Sequence, residues 1–464
     1  MYKPNMSLKK TPALTQAIAE RRQNFREVEL VYTKEQAIEE AKRCLNCPGR
    51  YCAVSCPINT PVPEFIELIR DGDFKGAYEV ISDMNPISPM SCRVCAQEWQ
   101  CEKNCTRGIK GEPTAIGRLE RFVMDWYRIN DKSMPKKPEA NGQRVAVVGS
   151  GPAGLVCAKI LAQAGYGVQI YEAGPYAGGV PAYGIPDFVL PDEILNEYLE
   201  DLAQLGVAIH LNKPVNDEFS VADILAEGNG AVFIATGAGR SILLGIEGET
   251  LPNVFTASGF LLGAKRSTES LRQRARHSIA VVGGGNTAID VCRSAIRLGS
   301  KEVHLLYRRT REEMPARMDE IQYAMEEGVR FHFLTQPVRL LEAEGEIDVV
   351  CSLMETCEPD YPAGRANVRP VPNQELVLKV DAVVTALGYA PIPMAGIPVD
   401  DKGYIKVNKD GVSTEIEYLF AGGDAAGGDT TLISAAAAGK KAAQAIDRYL
   451  QKKYYHIKDK IGEE

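Results

Sequence analysis

No stretch of about 18 or more apolar residues, the length a helix needs to cross a bilayer, occurs anywhere in the 464-residue sequence, so a membrane-spanning protein is not expected. The opening residues, MYKPNMSLKKTPALTQAIAERRQNF, contain neither an apolar core nor a small-residue cleavage site, and a secretory leader is not expected either. Positive charge is also short. The 53 Lys and Arg face 61 Asp and Glu, giving a formal net charge of -8 and a pI near 5.5, so the whole chain offers no attraction to nucleic acid. The expectation is a cytoplasmic protein that binds neither membrane nor nucleic acid. With 45% hydrophobic and 25% charged residues it reads as globular, and its length suggests about three domains.

Cysteine, by contrast, is concentrated. Cys44, Cys47, Cys52 and Cys56 precede Pro57 in the pattern C-x2-C-x4-C-x3-C-P, and Cys92, Cys95, Cys101 and Cys105 follow within the same N-terminal third. A disulfide framework belongs to short secreted domains, which this is not. Eight thiolates on short loops suit soft metal centres, and two iron–sulfur clusters would take four ligands each. Two zinc sites of four thiolates would use the same number, although the x4 and x3 spacings and the Cys-Pro ending resemble ferredoxin ligand runs. Cys157, Cys292, Cys351 and Cys357 are dispersed and read as small buried hydrophobes.

Residues 1–140 read as helices and cysteine loops. Thr33 and Gln36 make a capping box for a helix through AIEEAKR toward Cys44. The segment Val62 to Ile81 carries helical apolar spacing interrupted at Asp71-Gly72-Asp73. A polar stretch, Lys132 to Gln143, reads as a linker. The pattern then changes to strand, glycine turn and helix. RVAVVGSGPAG sets a strand before Gly149, Gly151 and Gly154, an apolar helix follows, and a second strand ends at Glu172. This is a dinucleotide-binding βαβ unit, in which glycines let the pyrophosphate approach a helix N-terminus and the carboxylate holds ribose hydroxyls.

The same architecture recurs at SIAVVGGGNTAID, with Gly283, Gly285 and Ala288, and a second strand VHLLY. There Arg308 and Arg309 stand where an acid would be. A carboxylate would repel a 2′-phosphate whereas guanidinium groups pair with it, so the second unit is expected to prefer NADP(H) over NAD(H). The segment GPYAGGVPAYGIPDF after the first fingerprint helix contains no paired cysteines, and Cys351 and Cys357 do not form a C-x-x-C pair, so dithiol chemistry is not expected.

Taken together, GSGPAG with Glu172, AVFIATGAGR, GGGNTA, TALGYAP and AGGDA resemble the flavoprotein reductases with two dinucleotide domains. That resemblance implies FAD on the first fingerprint and on the Gly423-Asp424 segment, with NADPH on the second fingerprint. The cysteine runs, AIGRLERF and YGIPDFVLP narrow it to a resemblance to the small chain of NADPH-dependent glutamate synthase, extending from about residue 30 to 450. The module also resembles the large subunit of NADH-dependent ferredoxin:NADP oxidoreductase (sulfide dehydrogenase) and the N-terminal part of dihydropyrimidine dehydrogenase. The expected fold is α/β, with two Rossmann-like domains preceded by an all-helical iron–sulfur domain. The expected ranges are 1–140 for the helical domain, 144–240 with 381–455 for the FAD domain, and 241–380 for the NADP(H) domain.

The resemblance further implies two [4Fe–4S] clusters with crossed ligands. Cys44, Cys47, Cys52 and Cys105 would hold one, and Cys56, Cys95, Cys101 and the oxygen ligand Glu120 the other, leaving Cys92 outside both. Such crossing would make cluster assembly a condition for folding the helical domain. The implied chemistry is hydride transfer between NADPH and flavin followed by one-electron steps to the clusters, which needs no protein nucleophile. The chain shows no amidotransferase nucleophile and no room for an FMN-binding barrel. A glutamate synthase large chain is therefore the expected partner, or, on the alternative resemblance, a smaller flavoprotein and ferredoxin.

Overall fold

In the computed structural model, residues 4–265, 277–358 and 366–461 are described. The N-terminal part is helical, with the main helices Lys34–Ala41, Val62–Asp71, Phe74–Met84, Ser88–Val94 and Ile116–Asn130. The local signals act as expected. Thr33 and Gln36 form the full capping box. Gly72 adopts φ +82° to end one helix and Asp73 caps the next through the Gly76 amide, as a left-handed C-cap and a side-chain N-cap require. The apolar faces meet around Phe65, Ile69, Ile81, Leu119 and Val123, with Phe74 edge-on to Phe122 at 5.0 Å.

Two five-stranded parallel sheets follow. The first runs in the order Leu419–Ala421, Ala231–Ile234, Arg144–Val148, Gly167–Tyr171, Ala208–His210, and the second in the order Val254–Thr256, Ala382–Thr385, Ser278–Val282, Glu302–Tyr307, Arg330–Phe333. In each, the fingerprint strand is central, so the glycine turn opens at the carboxyl edge where the strand order reverses, the usual ligand crevice of such sheets. The long helix Leu432–Ile461 crosses the first fingerprint helix closely: a Cβ on Gly439 would stand 2.2 Å from the Ala153 carbonyl oxygen. This contact explains the small residues of that helix.

The expected boundary at residue 381 needs correction. Ala382–Thr385 hydrogen-bonds in parallel to both Ser278–Val282 and Val254–Thr256, so this strand completes the second sheet. The chain enters and leaves the second domain through a two-stranded ribbon, Arg240–Ser241 against Tyr389–Ala390. An antiparallel sheet of Thr335–Ala343, Glu346–Cys357 and Asn367–Val380, not anticipated from sequence, packs against the second domain. No helix among the described residues is long and apolar enough to cross a membrane.

Candidate functional site

The first glycine turn is shaped by three different demands. Gly149 has φ +101° and lies so close to Ala235 that a Cβ would meet its carbonyl oxygen at 2.5 Å, while a Cβ on Gly154 would meet the Gly149 oxygen at 2.1 Å. Gly151 differs. Nothing lies within 4 Å of where its Cβ would be, so this position faces open space at the start of helix Pro152–Gln163, whose N-cap has no side-chain hydrogen bond. A helix N-terminus without a side-chain cap, beside an open cradle, suits an anionic phosphate.

Glu172 is tied back to this turn, accepting from the Ser150 hydroxyl, the Ser150 amide at 3.0 Å and the Gly174 amide at 2.8 Å. Ser150 is fully buried and its hydroxyl also accepts from the Gly178 amide at 3.0 Å; its role was missed because a serine between two fingerprint glycines carries no distinctive signal. Gly423 adopts φ +66° and packs on Ala153, which brings Asp424 to the fingerprint helix. Burial pushes the Asp424 carboxyl up to about 6, and no hydrogen bond or ion pair among the described residues offsets it. A carboxyl in this state suits donors such as sugar or polyol hydroxyls.

The second turn repeats the logic. Gly283 has φ +147° against the Ala386 carbonyl, Gly284 packs under the Tyr307 ring, and Gly285 faces open space. Ala288 is fully buried in helix Asn286–Leu298. The two arginines part company. Arg309 is engaged, donating to Glu313 at 3.1 Å and to the Ala366 carbonyl, whereas Arg308 is exposed and has no carboxylate partner among the described residues.

The cysteine loops converge in two groups that cross the sequence blocks. Burial pushes the Cys44 thiol up to about 11, with Cys105 and Cys47 adding to the effect. Cys52 is pushed up to about 12 by burial, then by Cys105 and Cys44. Cys95 is raised by burial and then by the nearby Glu120 and Cys56, and Cys101 by burial, Glu102, Cys56 and Glu120. Glu120 itself is pushed up to about 7 by burial, although Ser88 and Asn85 donate to it. A positive metal centre would reverse these upward shifts at Cys44, Cys52, Cys95, Cys101 and Glu120, because ligation requires the deprotonated forms. Thiolates with one carboxylate are a donor set that suits iron–sulfur clusters. Among the described residues no group of three or more His, Cys, Asp or Glu side chains closes into the arrangement for a single metal ion.

Cys92 belongs to the same neighbourhood: its thiol lies 3.5 Å from the Pro89 carbonyl and 3.6 Å from the Arg93 guanidinium, and it acts electrostatically on Cys95 while Glu120 acts on it. Of the dispersed cysteines, Cys157, Cys292 and Cys351 are fully buried and Cys357 is half-buried. Cys56 and Cys95 pack against the core of the first dinucleotide domain, whereas Cys44, Cys52, Cys92 and Cys101 lie with the helical core.

Residues 21–132 match the family described as dihydropyrimidine dehydrogenase domain II, 4Fe-4S cluster, and residues 103–232 and 143–442 match the pyridine nucleotide-disulphide oxidoreductases. The chain is 31% identical over 457 residues to the glutamate synthase [NADPH] small chain of Halomonas elongata, covering 95% of each. It is 38% identical over 431 residues to the NADP(+)-dependent formate dehydrogenase subunit beta of Moorella thermoacetica, which matches 86% of this chain and of which this chain spans 60%. The structure of Mycobacterium tuberculosis FprA in complex with NADPH shares the fold, with a TM-score of 0.58 at 20% identity over 68% of this chain and 86% of that one. Matched along both its helical and its α/β parts, and over nearly the whole length of a small chain, the protein belongs to the glutamate synthase small-chain family of iron–sulfur flavoprotein oxidoreductases.

Proposed function

We propose that this chain moves electrons between NADPH on the Gly283–Gly285 turn, FAD on the Gly149–Gly154 turn and two [4Fe–4S] clusters, as the small subunit of a glutamate synthase. Cys44, Cys47, Cys52 and Cys105 hold one cluster, and Cys56, Cys95, Cys101 and Glu120 the other. The observation that supports this reading is the mixing of the two cysteine blocks: the Cys47 thiol lies 3.3 Å from the hydroxyl of Thr106, next to Cys105, and Cys105 acts electrostatically on Cys44 and Cys52 as Cys56 does on Cys95 and Cys101.

Each residue has a defined task. Gly151 leaves room for the FAD pyrophosphate, Glu172 accepts from ribose hydroxyls, and Gly423 brings Asp424 to the ribityl chain. Gly285 and Ala288 shape the NADPH cradle, and Arg308 faces the 2′-phosphate. When bound, the flavin would supply the exchange between two-electron nicotinamide chemistry and one-electron steps. A cluster at Cys56 and Cys95, which pack against the first dinucleotide core, would lie on the flavin side, and one at Cys44 and Cys52, which pack against the helical core, would lie beyond it. A separate large subunit carries out glutamate formation from glutamine and 2-oxoglutarate.

Anaerobic purification followed by iron, sulfide and flavin determination tests the reading. Two clusters' worth of iron and one flavin per chain are expected, with NADPH bleaching the flavin. Bound zinc with no visible absorbance, or iron for a single cluster, would refute it.

A further inference from the structure

The turn joining helices Phe74–Met84 and Ser88–Val94 faces two ways at once. Toward the first dinucleotide domain it is gripped by two lysines. Lys440, on the long helix after the Gly423-Asp424 turn, donates to the Met84 carbonyl at 2.7 Å, and Lys159, on the fingerprint helix, donates to the Pro86 carbonyl at 3.4 Å. Ile87 and Met90 are buried within that domain's own core.

Toward the cysteine loops the same turn presents Asn85 and Ser88, at 1% and 0% exposure. Both donate to one oxygen of Glu120: the Ser88 hydroxyl at 2.6 Å and the Asn85 amide at 3.2 Å from Oε1. The Asn85 amide also donates to the Ser91 hydroxyl at 3.0 Å, which fixes its own orientation. Of the charged groups acting on Cys95, Glu120 has the largest electrostatic effect. Two donors on Oε1 restrict the carboxylate's rotation and leave Oε2 as the oxygen free to ligate. They also withdraw electron density from the ligand, and hydrogen bonding around a cluster is a lever on its potential.

We propose that Ser88 and Asn85 are positioning residues that select and tune the Glu120 oxygen facing the second cluster, seated by Lys159 and Lys440 from the flavin domain. This rests on Glu120 being a ligand of that cluster. The flavin-binding domain thereby sets the geometry of the metal site nearest to it, through one turn of chain. A purely structural role, satisfying a buried carboxyl, would leave the cluster's spectrum and potential where they are.

The test uses the full chain, purified anaerobically, with electron paramagnetic resonance and potentiometric titration of each cluster. Ser88→Ala is expected to move the signal and the midpoint of one cluster to lower potential while the other cluster and the flavin content stay unchanged. Ser88→Thr, which keeps the hydroxyl, should retain the parent values, and Lys440→Met should move the same cluster in the same direction by less. Should Ser88→Ala lose flavin and both signals, Ser88→Cys, a weaker donor of similar size, is judged by the same criterion. If the serine variants leave both clusters unmoved while Glu120→Ala alters one, the positioning role is overturned and the ligation stands. If Glu120→Ala leaves both clusters intact, the ligation itself falls.

Discussion

Replacing Arg308 separates the two arginines that the sequence places together. Its guanidinium is exposed at the end of strand Glu302–Tyr307, so a bound 2′-phosphate would gain a charge-assisted pair that no internal partner competes for. Such a hydrogen bond is worth about 1.5–3 kcal/mol, and at about 1.4 kcal/mol per decade Arg308→Ala should lower kcat/KM for NADPH roughly 10- to 150-fold. NADH, which lacks the phosphate, should be used almost as before. Arg309 is already engaged by Glu313 and the Ala366 carbonyl. Arg309→Ala should therefore cost the NADPH preference less than about fivefold, the factor of a partly exposed ion pair worth about 1 kcal/mol. Steady-state rates with ferricyanide as electron acceptor read both values. Equal losses for NADPH and NADH in Arg308→Ala, or a larger loss of preference in Arg309→Ala, would refute the assignment.

Gly151→Ala should fold and keep its iron but purify with little flavin, because its Cβ enters the open cradle, whereas Gly154→Ala should lose thermal stability because its Cβ meets the Gly149 oxygen at 2.1 Å; flavin content and melting temperature distinguish them. Glu327 is fully buried between Arg21, Arg293 and Arg297; Arg21 and Arg293 keep Glu326 and Glu320, but Glu327→Gln leaves buried Arg297 without a carboxylate and should destabilise by about 3–5 kcal/mol in denaturant titration. Burial lowers the pKa of both His304 and His332, which hydrogen-bond ring to ring at 2.9 Å. The unfolded chain therefore takes up protons at about 6.5 that the folded pair refuses, and stability should fall as pH drops below that value; His332→Gln should flatten the melting-temperature profile between pH 7.5 and 5.5. Stripping iron with a chelator should lower helical content in circular dichroism by unfolding the cysteine-loop domain while the two sheets persist; unchanged helicity would contradict the crossed ligation.

What could be read from the sequence was what is local. A capping box at Thr33, a left-handed stop at Gly72 and two fingerprint turns each depend on residues a few positions apart, and each formed where the pattern put it. The strand Ala382–Thr385 was placed in the wrong sheet because three apolar residues and a threonine, all buried, fit the middle of either one, and only pairing with Ser278–Val282 decides between them. The antiparallel sheet escaped notice for a related reason. Strand Glu346–Cys357 is interrupted by a bulge near Ser352 and Met354, and its burial does not alternate cleanly, so the period-2 signal is broken. Ser150, Asn85 and Ser88 were invisible because a small polar residue acquires its role only when a distant carboxylate folds onto it.

The N-terminal segment around Glu27 and Glu29 shows how such distant contacts set the arrangement of the whole molecule. Glu27 pairs with Arg93 at 2.8 Å and Arg121 at 2.9 Å, both on the helical domain, while Glu29 lies 3.7 Å from Arg118 and 3.6 Å from Arg317, the latter on the second dinucleotide domain. Arg317 in turn donates to the Arg93 carbonyl at 2.7 Å, and Glu98 accepts from the Met318 amide at 2.8 Å. Buried ion pairs of this kind repay their own desolvation poorly, so net stability is a weak reason for them. Their geometry is demanding, because each carboxylate is shared between arginines that reach it from different elements. A rotated second domain would strand Arg317 without a counter-charge, at a cost that apolar packing alone would not impose. The network therefore does for orientation what the glycine turns do for the ligands: it admits one arrangement of the second dinucleotide domain against the helical domain.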